Sequence, residues 1–532
     1  MTQLLEIFSF TKVFAAALII LLLRSFYNGF IKPGKQLKRY SQVPGSIITL
    51  KLGTKDLKTW SNIPQSNFKP DPTNPFSSSK LYQDCFKYPK QRLVATNFLN
   101  QVVLNLTDPK LIGEFFKNGK YYIKKDMRSF LRTFYTRYGI GGTEGEEWKF
   151  QRKIIAEAFH FENLAKTVPL MEETVKEFLD NIEFKTEKEA EINIIDEFQK
   201  ITGEIVGRTF FGQNLNEYKL NGRLLTLELA DILVQNSSLK DYPFYHLFGE
   251  VALLFSPKLR KIRNQTIRFG EFSKQLVRES IKKIERGEMG NEAGRKGLLQ
   301  ILVEKGKTEK GLSEKELVAN FITFFVAGMD TTGHTAGMAV YFLSQYPEVK
   351  EKLINEIDSL WDGKAPITLE TMQKMEYMHA FLEETLRMAT PAPSLFPRIA
   401  VQDHYLKDIL VKKGTTIMPV FTPSMFSEEF YTDPCTFKPE RWIKGSESCE
   451  RPNDPFAFIP FSSGARNCIG QHMSLMEAKL ILCHFLKRYE FRLVEGYKLE
   501  MVRRFLAEPK EPMKFVLSKK IEDQPPKIVQ VN

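Results

Sequence analysis

Between Ser313 and Pro347 the chain runs without a proline, and Ser313-Glu314-Lys315-Glu316 marks its start as a capping box. A helix over this stretch rises 1.5 Å per residue and reaches roughly 50 Å, enough to cross a large domain. The alternative is a membrane span. Asn320, Asp330, His334 and several threonines inside the stretch argue against that. The chain is therefore expected to build one large body around a central helix.

Composition allows such a body. The chain has 532 residues, 42% hydrophobic and 26% charged, so a sizeable core forms without supporting disulfides. The five cysteines (Cys85, Cys435, Cys449, Cys468 and Cys483) are odd in number and form no CxxC pair. That excludes a disulfide framework or a zinc site and indicates a reducing compartment. Cys483, in an apolar run, reads as a small buried hydrophobe. The formal net charge is +12. The basic residues are spread among acids with no long Lys/Arg block and no nucleic-acid motif, so nucleic acid is not an expected partner. A membrane surface or an acidic protein partner fits better. The seven histidines form no cluster with metal-ligand spacing; His334 reads as helix or pocket lining.

Val13 to Leu23 is unbroken and apolar, and with Leu4, Leu5, Ile7, Phe8 and Phe10 it is about long enough to span a bilayer. Arg24, Lys32, Lys35, Lys38 and Arg39 follow, which predicts that the bulk of the chain stays on the cytoplasmic side. The residues after Leu23 make a poor signal-peptidase site. The expected organisation is a membrane anchor over 1–31, a basic Pro/Gly hinge over 32–46 with a turn at Pro44-Gly45-Ser46, and a globular domain over 47–532. Within that domain Arg92–Thr107 predicts two short strands turning near Asn100-Gln101. Asp108-Pro109 opens a helix, and helical patterns dominate to about residue 390. Short strands follow, such as Thr416–Met418 and Met513–Leu517, with a helix over Ser474–Tyr489. The fold class is mainly α, with small sheets and no βαβ repeat.

Phe461-Ser462-Ser463-Gly464-Ala465-Arg466-Asn467-Cys468-Ile469-Gly470 carries the most chemistry. Gly464 and Gly470 permit tight turns and close approach to a flat ligand. Cys468 precedes a predicted helix, whose N-terminal N–H groups and positive potential stabilise a thiolate. Arg466 can pair with a carboxylate of a cofactor. A thiolate donates strongly to iron and favours O–O cleavage.

This pattern, Phe-x-x-Gly-x-Arg-x-Cys-x-Gly, resembles that of the cytochrome P-450 family, the haem-thiolate monooxygenases. All five fixed positions are present: Phe461, Gly464, Arg466, Cys468 and Gly470. Four further motifs stand in the family's order. Glu384-Thr385-Leu386-Arg387 is by itself an ordinary helical ion pair. The resemblance implies that Glu384, Arg387 and Arg441 form a buried network below the haem. It also implies that Arg398 and the Trp148-x-x-x-Arg152 pair serve the haem propionates. In Ala327-Gly328-Met329-Asp330-Thr331-Thr332, Ala327 and Thr331 lie one turn apart on one face, leaving room for a flat cofactor and a diatomic ligand. Such small residues also permit a local distortion of the helix. Thr331 stands where the family's proton-relay threonine stands, and Asp330 where its acid stands.

The resemblance thus implies a haem b with Cys468 as axial thiolate and a monooxygenase that puts one atom of O2 into a lipophilic substrate such as a fatty acid, a sterol or a xenobiotic. Electrons would come from a separate NADPH-dependent flavoprotein reductase, since too little chain follows Cys468 for a flavin domain. The implied location is the endoplasmic reticulum membrane, with the catalytic domain facing the cytosol. The pocket would be drawn from about Tyr121–Gly142, Ala230–Val251, the Thr331 face, Thr390–Phe396 and Arg504–Glu508. A haem-thiolate isomerase or dehydratase and a haem-binding sensor are the rival readings; the Asp330-Thr331 pair argues for oxygen activation.

Overall fold

The computed structural model describes Ile19 and most of residues 37–520. Outside the description are 1–18, 20–36, 41, 53–54, 62, 64–74, 80–86, 89, 99–100, 125–134, 183–188, 238, 240–244, 246–248, 289–295, 309 and 521–532. Apart from Ile19 the expected anchor lies outside the described residues, as does the first part of the hinge. Among the described residues no helix is long and apolar enough to cross a membrane.

The principal helices are α1 (Pro109–Lys117), α2 (Gly145–Ala156), α3 (Phe161–Asp180), α4 (Ile194–Val206), α5 (Leu225–Ser237), α6 (Pro257–Glu285), α7 (Leu298–Thr308), α8 (Glu314–Gln345), α9 (Pro347–Leu360), α10 (Glu376–Ala389) and α11 (Gln471–Arg488). α8 is the expected central helix. The Glu316 carboxylate accepts from the Ser313 N–H at 2.8 Å, and the Ser313 hydroxyl accepts from the Glu316 N–H, the reciprocal capping expected there. It stays helical for 32 residues and stops at Tyr346, because Pro347 supplies no N–H to continue it. The small residues at 327–328 therefore do not break it.

What they and later glycines do is let α4 approach. A Cβ on Gly333 would lie 2.8–3.0 Å from Cγ, Cα and N of Gln199. One on Gly337 would meet Ile195, and one on Gly328 would meet Val206. Thr202 adds a bond across this seam, donating to the Met329 carbonyl at 2.8 Å. The rest of α8 from Met329 to Leu343 is almost wholly buried, which places the core around it.

One mixed sheet carries β1 (Ser46–Leu52), β2 (Lys55–Ser61), β3 (Leu93–Phe98), β4 (Gln101–Leu106), β5 (Tyr122–Lys124), β6 (Arg398–Ala400) and β7 (Thr416–Pro419). Their spatial order is β2-β1-β3-β4-β7-β6-β5. The turn at Pro44-Gly45 leads directly into β1, with Gly45 at φ +74. β3 and β4 form the expected antiparallel hairpin, Phe98 facing Gln101. Asp108 then caps α1 by accepting from the Lys110 N–H at 2.8 Å. β7 runs parallel to β4 and hands β6 to β5, which fixes Arg398 opposite Lys124. A second sheet joins β8 (Tyr489–Leu493) and β11 (Lys514–Lys519) to the strand Ala190–Asn193. Between β8 and β11 a hairpin of β9 (Met501–Arg503) and β10 (Ala507–Pro509) reaches back, Ala507 donating to the Pro391 carbonyl.

Candidate active site

A buried ion network ties α10 to the segment 425–450. Glu384 and Arg387, three apart on α10, are both fully buried and form two hydrogen bonds, at 2.7 and 2.8 Å. The rest of the Arg387 fork donates to the carbonyls of Met425, Pro434 and Thr436. Arg441 Nε lies 3.4 Å from Glu384, an ion pair without hydrogen-bond alignment. Trp442 Nε1 and the Lys438 N–H donate to the same carboxylate. The structure thus brings Glu384, Arg387 and Arg441 together, and adds Trp442 and Glu450, the latter paired with Arg441.

The Cys468 loop follows this segment in the chain. Ser462 (φ +64) and Gly464 (φ +74) turn the chain through left-handed conformations. Gly470 does not: its φ is −91, and a Cβ there would meet Phe159 only at an ordinary 3.7 Å. The tight turn expected at Gly470 is made by Ser462 instead. The Cys468 N–H donates to the Phe461 carbonyl at 2.9 Å, closing the loop. Gly470 is the N-cap of α11. The Cys468 side chain is solvent-accessible, yet protein surrounds it closely enough for burial to raise its pKa, against the Gly470 N–H and the Arg152 charge, which lower it. Both observations hold for a thiol facing an internal void.

The small-residue face belongs to α8. Along this otherwise buried helix Ala327 is exposed, and Thr323, Val326 and Thr331 are half-exposed. These residues share a face, so a void runs along it. Thr332, the residue after Thr331, meets Ser474 of α11 at 3.0 Å, which holds α8 and α11 in register. Thr331 donates to the Ala327 carbonyl at 2.7 Å. Asp330 points the other way. It is buried, accepts from Gln199 Nε2 at 2.6 Å, and makes no side-chain bond to Thr331. Of the expected pair, only Thr331 faces the void.

At the rim, a cavity of about 470 Å³ opens among Trp148, Arg398, Phe115, Tyr122 and the loop 462–466. Glu144, the N-cap of α2, does not cap its own helix. Its carboxylate turns to Arg466, to Arg398 at 3.1 Å and to the Lys124 N–H at 2.8 Å. The Arg466 guanidinium also stacks over Trp148, 4.1 Å from the ring centroid. Burial pushes Arg398 down to about 10; Glu144 opposes this and the like charge of Arg466 adds to it. Arg152 stays apart from this carboxylate and donates to Asn467 O and Oδ1 at 3.1 and 2.9 Å, bracing the residue before Cys468.

The arrangement suits a flat, dianionic, iron-carrying group. The loop presents an exposed thiol and α8 a row of small residues. At the rim two half-buried guanidiniums share a single carboxylate, which leaves net positive charge for further anions. Glu144 and Gln199 were not legible as site residues, since neither stands in a motif; Asn467 and Trp442 stand beside motif residues but at positions the motifs leave open, and each meets its partner from far along the chain.

The family model for cytochrome P450 matches residues 74–517. Among curated relatives, cytochrome P450 3A29 of Sus scrofa is 28% identical over 426 residues, covering 78% of this chain and 82% of its own. Lithocholate 6-beta-hydroxylase of Mesocricetus auratus is 27% identical, covering 77% of this chain and 81% of its own. Among solved structures, the cytochrome P450DA heme domain superposes with a TM-score of 0.70 at 20% identity, over 85% of this chain and 97% of that one. The loop, the buried ion network, the small-residue helix face and the family match together show that this chain belongs to the cytochrome P450 family, the haem monooxygenases.

Proposed function

We propose that the protein is a membrane-anchored haem-thiolate monooxygenase of lipophilic substrates. The observation that carries this reading is the exposure of Cys468 in its closed loop together with that of Ala327 and Thr331 along an otherwise buried stretch of α8. Cys468 would hold the iron of a haem b through its thiolate, and Arg466, Arg398, Trp148 and Arg152 would hold its propionates. Gly470 and Phe461 shape the loop around the ligand. Haem, when bound, supplies two-electron activation of O2.

The chain's own residues do the rest. The Gly470 N–H and Arg152 favour the thiolate over the thiol. The buried network of Glu384, Arg387 and Arg441 holds the segment beneath the loop. Ala327 leaves space, and the Thr331 hydroxyl, facing that space, accepts and passes on protons. Asp330, one residue earlier, is their reservoir on the α4 side.

A lipophilic substrate is supported by the apolar character of the expected pocket segments and by a relative named for hydroxylating lithocholate. The net charge of +12 suits an acidic docking face on a separate NADPH-dependent flavoprotein reductase. The apolar run Val13–Leu23 with its basic flank supports an anchor over 1–31, a hinge over 32–46 and a catalytic domain over 47–532. The location assigned is the cytosolic side of the endoplasmic reticulum membrane.

The test is the difference spectrum of the reduced protein with carbon monoxide. A Soret band at the long-wavelength position of a thiolate-ligated haem, lost in Cys468→Ala, is expected. Well-folded protein with no haem absorbance would overturn the reading. A short-wavelength band would replace thiolate ligation with another ligand.

A further inference from the structure

His334 is fully buried one turn after Asp330 and sits between two carboxylates on different elements. Its Nδ1 lies 2.7 Å from the Asp330 carbonyl oxygen and 3.2 Å from Asp330 Oδ1. Its Nε2 lies 3.6 Å from Glu508 Oε2, close enough for an ion pair though not for a hydrogen bond. Glu508 is itself buried, on the β9–β10 hairpin, and its other oxygen takes the Arg504 guanidinium at 2.6 Å. From α4, Gln199 bonds Asp330, and Asp196 contributes a further negative charge near the ring. The ring therefore meets Asp330 on its own helix and Glu508 on the hairpin and feels the charge of Asp196 on α4, with Arg504 behind Glu508 as an opposing cation.

We propose that His334 is a positioning residue for Asp330: as an imidazolium shared with Glu508 it orients the Asp330 carboxylate and ties the 501–509 hairpin to the central helix, so that losing its proton loosens both. This rests on the reading that Asp330 serves proton delivery to the site. Its geometric content is that one buried cation bridges the proton reservoir and a wall of the expected pocket. Burial alone would keep the ring neutral; the charges and hydrogen bond of Asp330, with Glu508 behind them, outweigh it and raise the ring to about 8. The sign follows. The link is present at neutral pH and is lost as pH rises through the raised value.

The experiment uses the full-chain holoenzyme, reduced and carbon-monoxide-bound so that it is diamagnetic, with labelled histidine. His334 is assigned by its absence in His334→Gln. Its resonance is expected to titrate above the ordinary histidine value of about 6.5, and to move down by about one unit in Glu508→Gln. In parallel, product formed per NADPH consumed is followed against pH. It is expected to fall on the alkaline side, with a midpoint that moves down in Glu508→Gln together with the resonance. Should Glu508→Gln fail to hold haem, Arg504→Gln serves. It removes the cation competing for Glu508, so the resonance and the midpoint both move up.

Titration of His334 at or below the ordinary value, or values unmoved by these substitutions, overturns the proposal. So does an alkaline midpoint that stays fixed while the resonance moves, because the ion link would then have no bearing on the reaction. Asp330→Asn separates the two readings. Unchanged coupling in that variant sinks Asp330 as proton reservoir and the positioning role with it, even where the wild-type resonance shows that the ion link exists.

Discussion

Arg387 has no contact with solvent, yet every arm of its guanidinium is matched, by two oxygens of Glu384 and three carbonyls. A charge so placed is stable only while its counter-charge stays. Glu384→Gln keeps the shape and removes the charge, stranding Arg387 and weakening the hold on Arg441 and Trp442. The expected cost is about 3–5 kcal/mol, read as a lower unfolding midpoint of the holoenzyme and a loss of the long-wavelength carbon monoxide band. A variant as stable as the parent would show that the network is dispensable. Asp330 is a different case: Gln199 is neutral, and His334 loses its charge only as pH rises through about 8, so its surroundings change on the alkaline side.

At the scale of elements, the seam between α8 and α4 is the tightest fit. Gly333→Ala places a methyl group within 3.0 Å of the Gln199 backbone, and backbone cannot swing aside as a side chain can. The expected penalty is about 1–3 kcal/mol for overpacking. It should come with a displaced Gln199, a free Asp330 and more peroxide released per NADPH consumed; thermal unfolding and a peroxide assay check both. An unchanged midpoint would mean that α4 slides freely.

Much of this scale was legible. The Ser313 capping box, the Asp108-Pro109 start and the β3–β4 hairpin are signals written within a few residues, and local chemistry decides them. The Cys468 loop was legible as a pattern, though not in its turns, because Ser462 adopts a conformation that its residue type does not announce. Glu144, Gln199 and the His334–Glu508 pair were hidden for another reason. Glu144 meets Arg398 across 254 positions and Gln199 meets Asp330 across 131. No periodicity spans such distances, so only the folded chain can join them. His334, read as helix or pocket lining, looked ordinary for the same reason.

For the molecule as a whole, the proposed reading has the net charge of +12 guide docking of a separate electron donor. Reductase-driven turnover is expected to fall as salt rises, since the screening length shrinks from about 10 Å at 0.1 M to about 3 Å at 1 M. Haem reduction by dithionite serves as the salt-insensitive control. Turnover indifferent to salt would shift docking from charge to apolar contact. The rim contacts carry a further consequence, one of timing. Arg466 reaches Glu144 across 322 positions, and Arg152 reaches Asn467 across 315. Closing loops of that length is entropically among the slowest and last events of folding. During synthesis the segment at 144–152 must wait, already made, until residues 466–468 have left the ribosome and returned to it. The cofactor's seat is therefore finished near the end of the chain's maturation, and a cell short of haem would accumulate nearly complete molecules rather than early fragments.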